Sequence, residues 1–394
     1  MKRKPNTPIT PLPGNGRGVV LVAAVLILSV LLLLAGAAVI NSAINLKSGV
    51  KYRSGEQASR IAEAGIERTK TLLRGTQNDA LLLGIDGVAN TSDDGIPSFG
   101  AVVNFAQGTY SVVVTDNDDG DADPFHDSDG MINVASTGTA ADGTRRVIRT
   151  VLLKPNPQTT NIRGSINARA SFAVLGNMVI DGRDHDQNGN VTGPGKLGVS
   201  TTGSFDTGGN ASVGGSTAAD PQVNIAPVKS GYETIVEENA LFTPPATPDA
   251  VFQLPEGTLK SMAQKGGGSQ YVTNPSLLTF PLSGVTYVEL PAGGVWDGSG
   301  MGGGSGILII HNAATNAILK NASGGTFKGV VIADDLSHVH NTIIGAVTNL
   351  TASPADGSAL GNGSGQILYS GAAISSALTL FSDTIQVISW KESI

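Results

Sequence analysis

The hydrophobic and polar positions divide the chain into an apolar N-terminal run, an amphipathic stretch and a long β-prone remainder. Val19–Ile40 contains no charged side chain. A helix of that length spans roughly 30 Å, the thickness of a bilayer core. From Asn41 to Leu73, apolar residues recur at helical spacing among charged ones. The pattern therefore predicts one helix that crosses a membrane and continues beyond it.

The residues before the apolar run indicate how the span is oriented. Lys2, Arg3, Lys4 and Arg17 precede it, so its N-terminus is expected to stay cytoplasmic while the rest is exported. A secretory signal carries its small-residue cleavage site after the apolar core, whereas Gly18 lies before it. Cleavage after Gly18 would leave the span on the mature protein. Hydropathy alone equally allows an uncleaved signal anchor.

This layout resembles a type IV pilin precursor. The junction between Gly18 and Val19 resembles a prepilin peptidase site, and Ala62–Glu67 is similar to the corresponding segment of PilX-like minor pilins. The resemblance covers roughly residues 15–75. It implies prepilin cleavage, methylation of Val19, and a single-pass stage in the bacterial inner membrane. It also implies later assembly, through the helix, with other minor and major pilins into a pilus at the cell surface.

One position departs from the major pilins, which have Glu at the fifth mature position, where this chain has Ala23. By resemblance, that Glu neutralises the terminal amine of a neighbouring subunit inside lipid, where an unpaired charge costs several kcal/mol. Ala23 therefore favours a tip or initiating position in the filament. The alternative is that the family tolerates an apolar residue here.

The remainder divides into two further regions, giving an α+β fold class. Strand patterns at Gly108–Val114, Met131–Gly138 and Arg145–Leu153 predict a small antiparallel head over residues 76–155 that packs on the helix. After the linker at Pro155–Pro157, short β-prone segments recur between Gly-rich turns over residues 156–394, with an excursion near 220–283. Their recurrence predicts a parallel β-solenoid, with an antiparallel sandwich as the alternative. Residues 1–18 form the basic leader and 19–75 the helix.

The loop between the first two head strands is rich in carboxylates. They are Asp116, Asp118, Asp119, Asp121, Asp123, Asp127 and Asp129. Carboxylates so dense repel one another unless a cation lies among them, and Ca²⁺ accepts six to eight oxygens in flexible geometry. The loop is therefore a candidate calcium site, with a solvated acidic loop as the alternative.

A weaker candidate is the segment with Asp184, Asp186, Asn188 and Asn190, which matches only the first half of an EF-hand loop. The loop from Asp86 to Asp94 is weaker still. Zinc is not expected, because the chain has no Cys and its close histidines lack partners in sequence.

Composition narrows the functional classes. A net charge of −7 argues against a nucleic-acid-coating surface. No nucleophile elbow, zincin or phosphate-loop motif occurs, and Asp334 and Asp335 are adjacent and so poorly placed as a facing acid pair. We therefore expect no enzyme. The prediction is a minor pilin of a type IV pilus. Two alternatives stay open: a pseudopilin of a type II secretion system, and a pilus-associated adhesin with a surface or glycan ligand.

Overall fold

The computed structural model describes residues 16–217, 219–226, 228, 230–355, 362–382 and 384–393, with side chains at the N-terminal end from Val19 onward. The basic leader up to Asn15 lies outside the described residues. Helix α1 (Gly16–Leu73) runs unbroken for 58 residues, as the apolar and amphipathic patterns predict. Three shorter helices follow: α2 (Asn78–Leu82), α3 (Thr258–Gln264) and α4 (Gly371–Leu378). Short 3₁₀ helices lie at Asp249–Phe252, Pro275–Leu277 and Thr379–Phe381.

The strands are numbered in chain order. Those before the linker are β1 (Val103–Phe105), β2 (Gly108–Asp116), β3 (Met131–Ala140) and β4 (Arg145–Leu153). Those that follow are β5 (Gly164–Ala168), β6 (Phe172–Gly176), β7 (Val179–Asp181), β8 (Asp184–His185), β9 (Val191–Gly193), β10 (Leu197–Thr201), β11 (Phe205–Thr207), β12 (Ser212–Gly214), β13 (Gln222–Val223), β14 (Val236–Glu237), β15 (Gln270–Val272), β16 (Val285–Glu289), β17 (Val295–Asp297), β18 (Gly304–His311), β19 (Ile318–Lys320), β20 (Thr326–Ala333), β21 (Asp335–Ser337), β22 (Thr342–Asn349), β23 (Asn362–Gly363), β24 (Gln366–Tyr369) and β25 (Gln386–Ser393).

The head is an antiparallel sheet in the order β1-β2-β3-β4-β25. Its inner face packs against the C-terminal half of α1, where buried residues recur every three or four positions. Ile61 and Ile66 meet Tyr110, Ile132 and other inward residues of the sheet in one core. The predicted small antiparallel sheet on a long helix is therefore confirmed.

The last strand of this sheet comes from the end of the chain. The sequence assigned residues 386–393 to the C-terminal domain, and that assignment was wrong, because β25 pairs with β4 in the head. Ser59 of α1 bonds Glu392 of β25, and Arg149 of β4 donates to Ser393 at 3.0 Å. The domain between β4 and β25 is thus inserted into the head sheet.

The inserted domain is built on a ladder of parallel strands. In it, β16, β18, β20 and β22 follow one another in register. Beyond β22 the ladder divides, because the two halves of β22 pair with different strands. The N-terminal half of β22 pairs with β24, which is followed by β7 and β12, and its C-terminal half pairs with β5, which is followed by β10 and β14. Parallel pairing is what the recurring segments predict, and the described strands of the ladder pair in this way rather than as an antiparallel sandwich. The α+β class is confirmed.

The chain does not fill this ladder in order. It enters in the middle at β5, builds outward to β14, and then crosses to the other end, where β15 pairs with β16. From there it returns strand by strand until β22 pairs with β5. The predicted excursion near 220–283 therefore supplies strands at both ends of the ladder.

Apolar side chains are buried on both faces of the ladder. One core lies between the ladder and the short sheets β17-β19-β21 and β11-β6-β23. The other lies beneath α3, α4 and the chain that follows, and includes Phe252 and Phe381. A column of glycines with positive φ, comprising Gly284, Gly306, Gly329 and Gly345, crosses the ladder. A Cβ at each of the last three would collide with the carbonyl oxygen of the preceding glycine, so no larger residue fits.

Candidate functional site

The first candidate feature is the N-terminal part of α1, which packs on nothing within the described chain. Every side chain from Val19 to Arg53 is exposed, including Leu33 at 74%. At 1.5 Å per residue, this segment is roughly 52 Å long. A helix so apolar and so uncovered requires lipid or other proteins around it.

The residues predicted for processing and filament position lie at the start of this segment. Gly18 is in the first turn of α1, Val19 follows it at 72% exposure, and Ala23 lies one turn further on, also exposed. Beyond the predicted span the helix stays uncovered, with Ile44, Leu46, Val50 and Tyr52 all more than half exposed. The uncovered helix is thus longer than a bilayer requires.

The second candidate feature is the acidic loop of the head, which joins β2 to β3. Two sets of carboxylates converge there, each with its oxygen atoms within 4.8 Å of one another. One set is Asp116, Asp119 and Asp121, and the other is Asp119, Asp127 and Asp129. Asp119 belongs to both sets and so lies at the centre of the cluster. No further set of three candidate ligand side chains occurs within the described part of the chain.

Two of the predicted loop carboxylates are not brought into these sets. Asp123 accepts the backbone N–H of Phe125 at 3.0 Å and so closes a turn of its own. Asp118 is exposed and belongs to neither set. The structure therefore gathers five of the seven predicted aspartates.

Four oxygen atoms around the cluster are buried without a hydrogen-bond partner. They are the Oδ1 atoms of Asn78, Asp116, Asn117 and Asp127. Each asparagine donates its amide N–H to a carboxylate of the cluster, Asn78 to Asp127 at 2.7 Å and Asn117 to Asp129 at 2.9 Å. Both amides therefore face the acidic groups. A buried oxygen without a donor is costly, so these atoms require an explanation.

The electrostatics of the loop are divided between stabilised and destabilised carboxylates. Burial, followed by repulsion from Asp119 and its neighbours, raises the pKa of Asp116 to about 6. Burial and repulsion from Asp129 and Asp116 likewise raise the pKa of Asp127 to about 6, although Asn78 opposes this. Hydrogen bonds from Ser128 lower the pKa of Asp119 to about 2. The pKa values of Asp116 and Asp127 are thus raised by burial and by repulsion among the loop's own carboxylates.

The loop is attached to the chain just after α1. Asp79 of α2 accepts the backbone N–H of Asp127 at 2.9 Å and pairs with His126 at 2.9 Å. This contact raises the pKa of His126. Asn78 of the same helix is 5% exposed. Sequence reasoning missed Asn78, because nothing in its local pattern distinguishes it from an ordinary residue after a helix.

The weaker candidate loops use their carboxylates internally. Asp186 accepts the backbone N–H groups of Asn188 and Asn190 at 2.8 and 2.9 Å, and Asp184 accepts that of Gly371 at 2.9 Å. In the loop from Asp86 to Asp94, Asp93 accepts the N–H groups of Ile85 and Asp86. The bonds of Asp186 and Asp93 close local turns, whereas that of Asp184 attaches its segment to the start of α4.

The acids singled out in the parallel-strand domain are also engaged in structural bonds. Asp334 is fully buried and bonds His311 Nδ1 at 2.5 Å. It also accepts the backbone N–H groups of Asn312 and Ala317 at 2.9 and 3.0 Å. These contacts join successive turns of the ladder.

Comparisons with known proteins add little to this description. No family model matches the chain, and no curated protein sequence matches it significantly. Among solved structures, it is similar to the competence-associated pilin ComZ from Thermus thermophilus, with 12% sequence identity and a TM-score of 0.24. The match covers 86% of this chain and 97% of that one. A TM-score so low carries no argument, so function has to be inferred from this chain's own residues.

Proposed function

We propose that this chain is a pilin-type filament subunit, a PilX-like minor pilin that is anchored in the bacterial inner membrane by α1 and then incorporated into a type IV pilus. The observation that carries the proposal is the 35-residue uncovered segment of α1, joined without a break to the half that packs on the head. A membrane core accounts for about 22 of these residues. The exposed apolar side chains among the remaining residues need protein partners.

Ile44, Leu46, Val50 and Tyr52 define the part of the segment that needs those partners. They lie beyond Ile40, where the apolar run ends, and each is more than half exposed. At about 100° per residue they are distributed around the helix rather than along one face, so helices of several neighbouring subunits would be needed to cover them. A simple membrane anchor has no need of exposed apolar side chains outside the lipid.

Cross-linking in cells that assemble pili tests this proposal, and the absence of Cys from the chain makes it clean. Leu46→Cys should form disulfides with a cysteine placed in the exposed helix of the major pilin. Leu277→Cys is the matched control, because Leu277 is similarly exposed, at 67% against 68%, but lies in the inserted domain. Equal cross-linking of both variants, or none from Leu46→Cys in sheared filaments, would contradict assembly through α1.

The proposed position is the filament tip. Ala23 provides no carboxylate for a neighbour's terminal amine, so a subunit placed ahead of this one would leave that charge unpaired in an apolar environment. The inserted domain between β4 and β25 adds bulk to the head that a closely packed shaft would have to accommodate. Immunogold labelling against the inserted domain should mark filament ends. Dense labelling along the shaft would contradict the tip assignment and leave filament membership intact.

A type II secretion pseudopilin would use the same anchor, and a pilus-associated adhesin would present the inserted domain to a surface or glycan. The genes beside this one distinguish the first alternative. Genes for other minor pilins would support a pilus, and secretion components would support a pseudopilus. Loss of surface attachment without loss of pili, on deletion of the inserted domain, would support the adhesin.

A further inference from the structure

We propose that the acidic loop binds Ca²⁺ at its two overlapping carboxylate sets, which share Asp119, and so joins the head to the chain leaving α1, with Asn78 as a ligand group besides the loop itself. Binding at this site is independent of filament assembly. The ligands are drawn from the five gathered aspartates, Asp116, Asp119, Asp121, Asp127 and Asp129, and from the oxygens of Asn78 and Asn117.

The unpartnered oxygens are the observation that points to a ligand. Asn78 is only 5% exposed, and its amide nitrogen already donates a hydrogen bond to Asp127. Its Oδ1 has no donor, and neither do Oδ1 of Asn117, Asp116 and Asp127. A positive ion satisfies acceptors of this kind without requiring a hydrogen-bond donor from the protein.

The chemistry of the ligands favours Ca²⁺ over other cations. The carboxylate oxygens of each set lie within 4.8 Å of one another, which is close enough for one cation to contact all three. All the groups are oxygen donors, which hard cations prefer, and no Cys is available to favour zinc. Mg²⁺ requires a tighter, near-octahedral shell, which an irregular loop provides less readily.

The position of the ion explains what it would do. Asn78 and Asp79 follow the end of α1, whereas their bonding partners Asp127 and His126 are in the β2–β3 loop, nearly 50 residues away. Lys154, just after β4, donates to Thr76 at 2.8 Å, so the chain leaving the head for the inserted domain passes the same place. An ion at this point would hold the helix end, the loop and the start of the insertion together.

The experiment uses the full chain in detergent, stripped of divalent ions and then titrated with Ca²⁺ or Mg²⁺ by calorimetry. Saturable Ca²⁺ binding is expected, with Mg²⁺ binding more weakly. Asp116→Asn removes one charge without changing shape and should weaken Ca²⁺ binding on the order of tenfold or more. Because it also removes a repelled, buried charge, it should leave the metal-free melting temperature unchanged or higher, which loss of a merely structural residue would not do.

The matched control is Asp118→Asn, which makes the same change in the same loop but outside both carboxylate sets. It should change Ca²⁺ affinity by less than about twofold. Asp121→Asn is a second ligand variant should Asp116→Asn fail to fold, because Asp121 is exposed. Absence of Ca²⁺ binding at millimolar concentration would overturn the proposal. So would equal weakening by Asp118→Asn and the ligand variants, which would indicate a diffuse negative field.

Discussion

The contact between α1 and the head sheet provides the sharpest prediction, through the substitution Gly138→Ala. Gly138 lies in β3, opposite Ala58 and Ala62 of α1. A Cβ at this position would be 2.6 Å from the backbone nitrogen of Ala62 and closer still to the carbonyl oxygen of Ala58. Real Cβ contacts essentially never fall below 3.0 Å. Because both obstructing atoms are backbone, the whole helix would have to move.

The expected cost follows from that movement. Shifting a packed element to admit one methyl group costs about 1–3 kcal/mol, since a gap of about 0.5–1 Å already forfeits a quarter to a half of each van der Waals contact. Relief of the glycine's own penalty in a strand returns about 0.5–1 kcal/mol. We expect a net loss of about 1 kcal/mol, which is a fall in melting temperature of about 5 °C for a unit of roughly 100 residues.

The two tryptophans allow the head to be followed separately. Trp390 lies in β25 of the head and Trp296 in β17 of the inserted domain, so fluorescence in a Trp296→Phe background reports the head alone. Gly75→Ala is the matched control, because Gly75 is exposed with nothing near its Cβ position. It should leave the transition unchanged or slightly raised. A Gly138→Ala protein that melts within about 2 °C of the parent would refute the close seating of the helix on β3.

Three further predictions concern the inserted domain and its closure. Gly345→Ala places a Cβ against the carbonyl oxygen of Gly329, at a residue with φ +144°, and should destabilise the inserted domain by about 3 kcal/mol or more, measured by Trp296 fluorescence. Gly193→Ala is the control, because nothing lies near the Cβ position of Gly193. Similar melting temperatures of the two variants would contradict the close packing of the glycine column. Burial raises the pKa of Asp181, but hydrogen bonds from His185 and Arg183 outweigh it and hold the pKa at about 2. Its stabilising contribution should therefore be complete above pH 4 and lost as the pH falls through about 2. The free energies of unfolding of the parent and of Asp181→Asn should converge over that window, and a constant difference between them would contradict the pairing. Deletion of residues 386–394 should expose the edge of β4 and make the head sensitive to limited proteolysis, while the inserted domain should stay resistant. Unchanged resistance of the head would show that β25 is dispensable.

Local periodicity was sufficient to predict much of the fold. The alternation in β2, β3 and β4 located these strands to within a few residues, and Gly143, with φ +84°, lies in the turn between the last two. Residues at helical spacing located the buried face of α1. These features depend on neighbours in sequence, so the sequence contains their signal directly.

The long-range pairings had no such signal. β25 pairs with β4 across more than 230 residues, and β5 pairs with β22 across about 180. A strand pattern records which face is buried but not which strand lies beside it. The proline-rich linker after β4 also marked a boundary that the chain crosses a second time at its end.

The candidate site was predictable only in part, for the same reason. Alternate aspartates in one loop identified the acidic cluster, but not that Asp118 and Asp123 fall outside the two carboxylate sets. Asn78 could not be found, because its relation to Asp127 arises only when α2 packs beside the loop. The unpartnered oxygens, which argue most strongly for an ion, are a property of the packed structure.

The central claim is that α1 is a processed pilin helix within a filament, and the N-terminus of the protein in sheared, purified pili tests it most directly. Mass spectrometry of the N-terminal peptide should find a chain that begins at Val19 with a methylated amine. Its abundance should be far below that of the major pilin. Recovery of the chain from filaments with Met1 and Lys2 still attached, or its complete absence from filaments while it is present in membranes, would contradict the account.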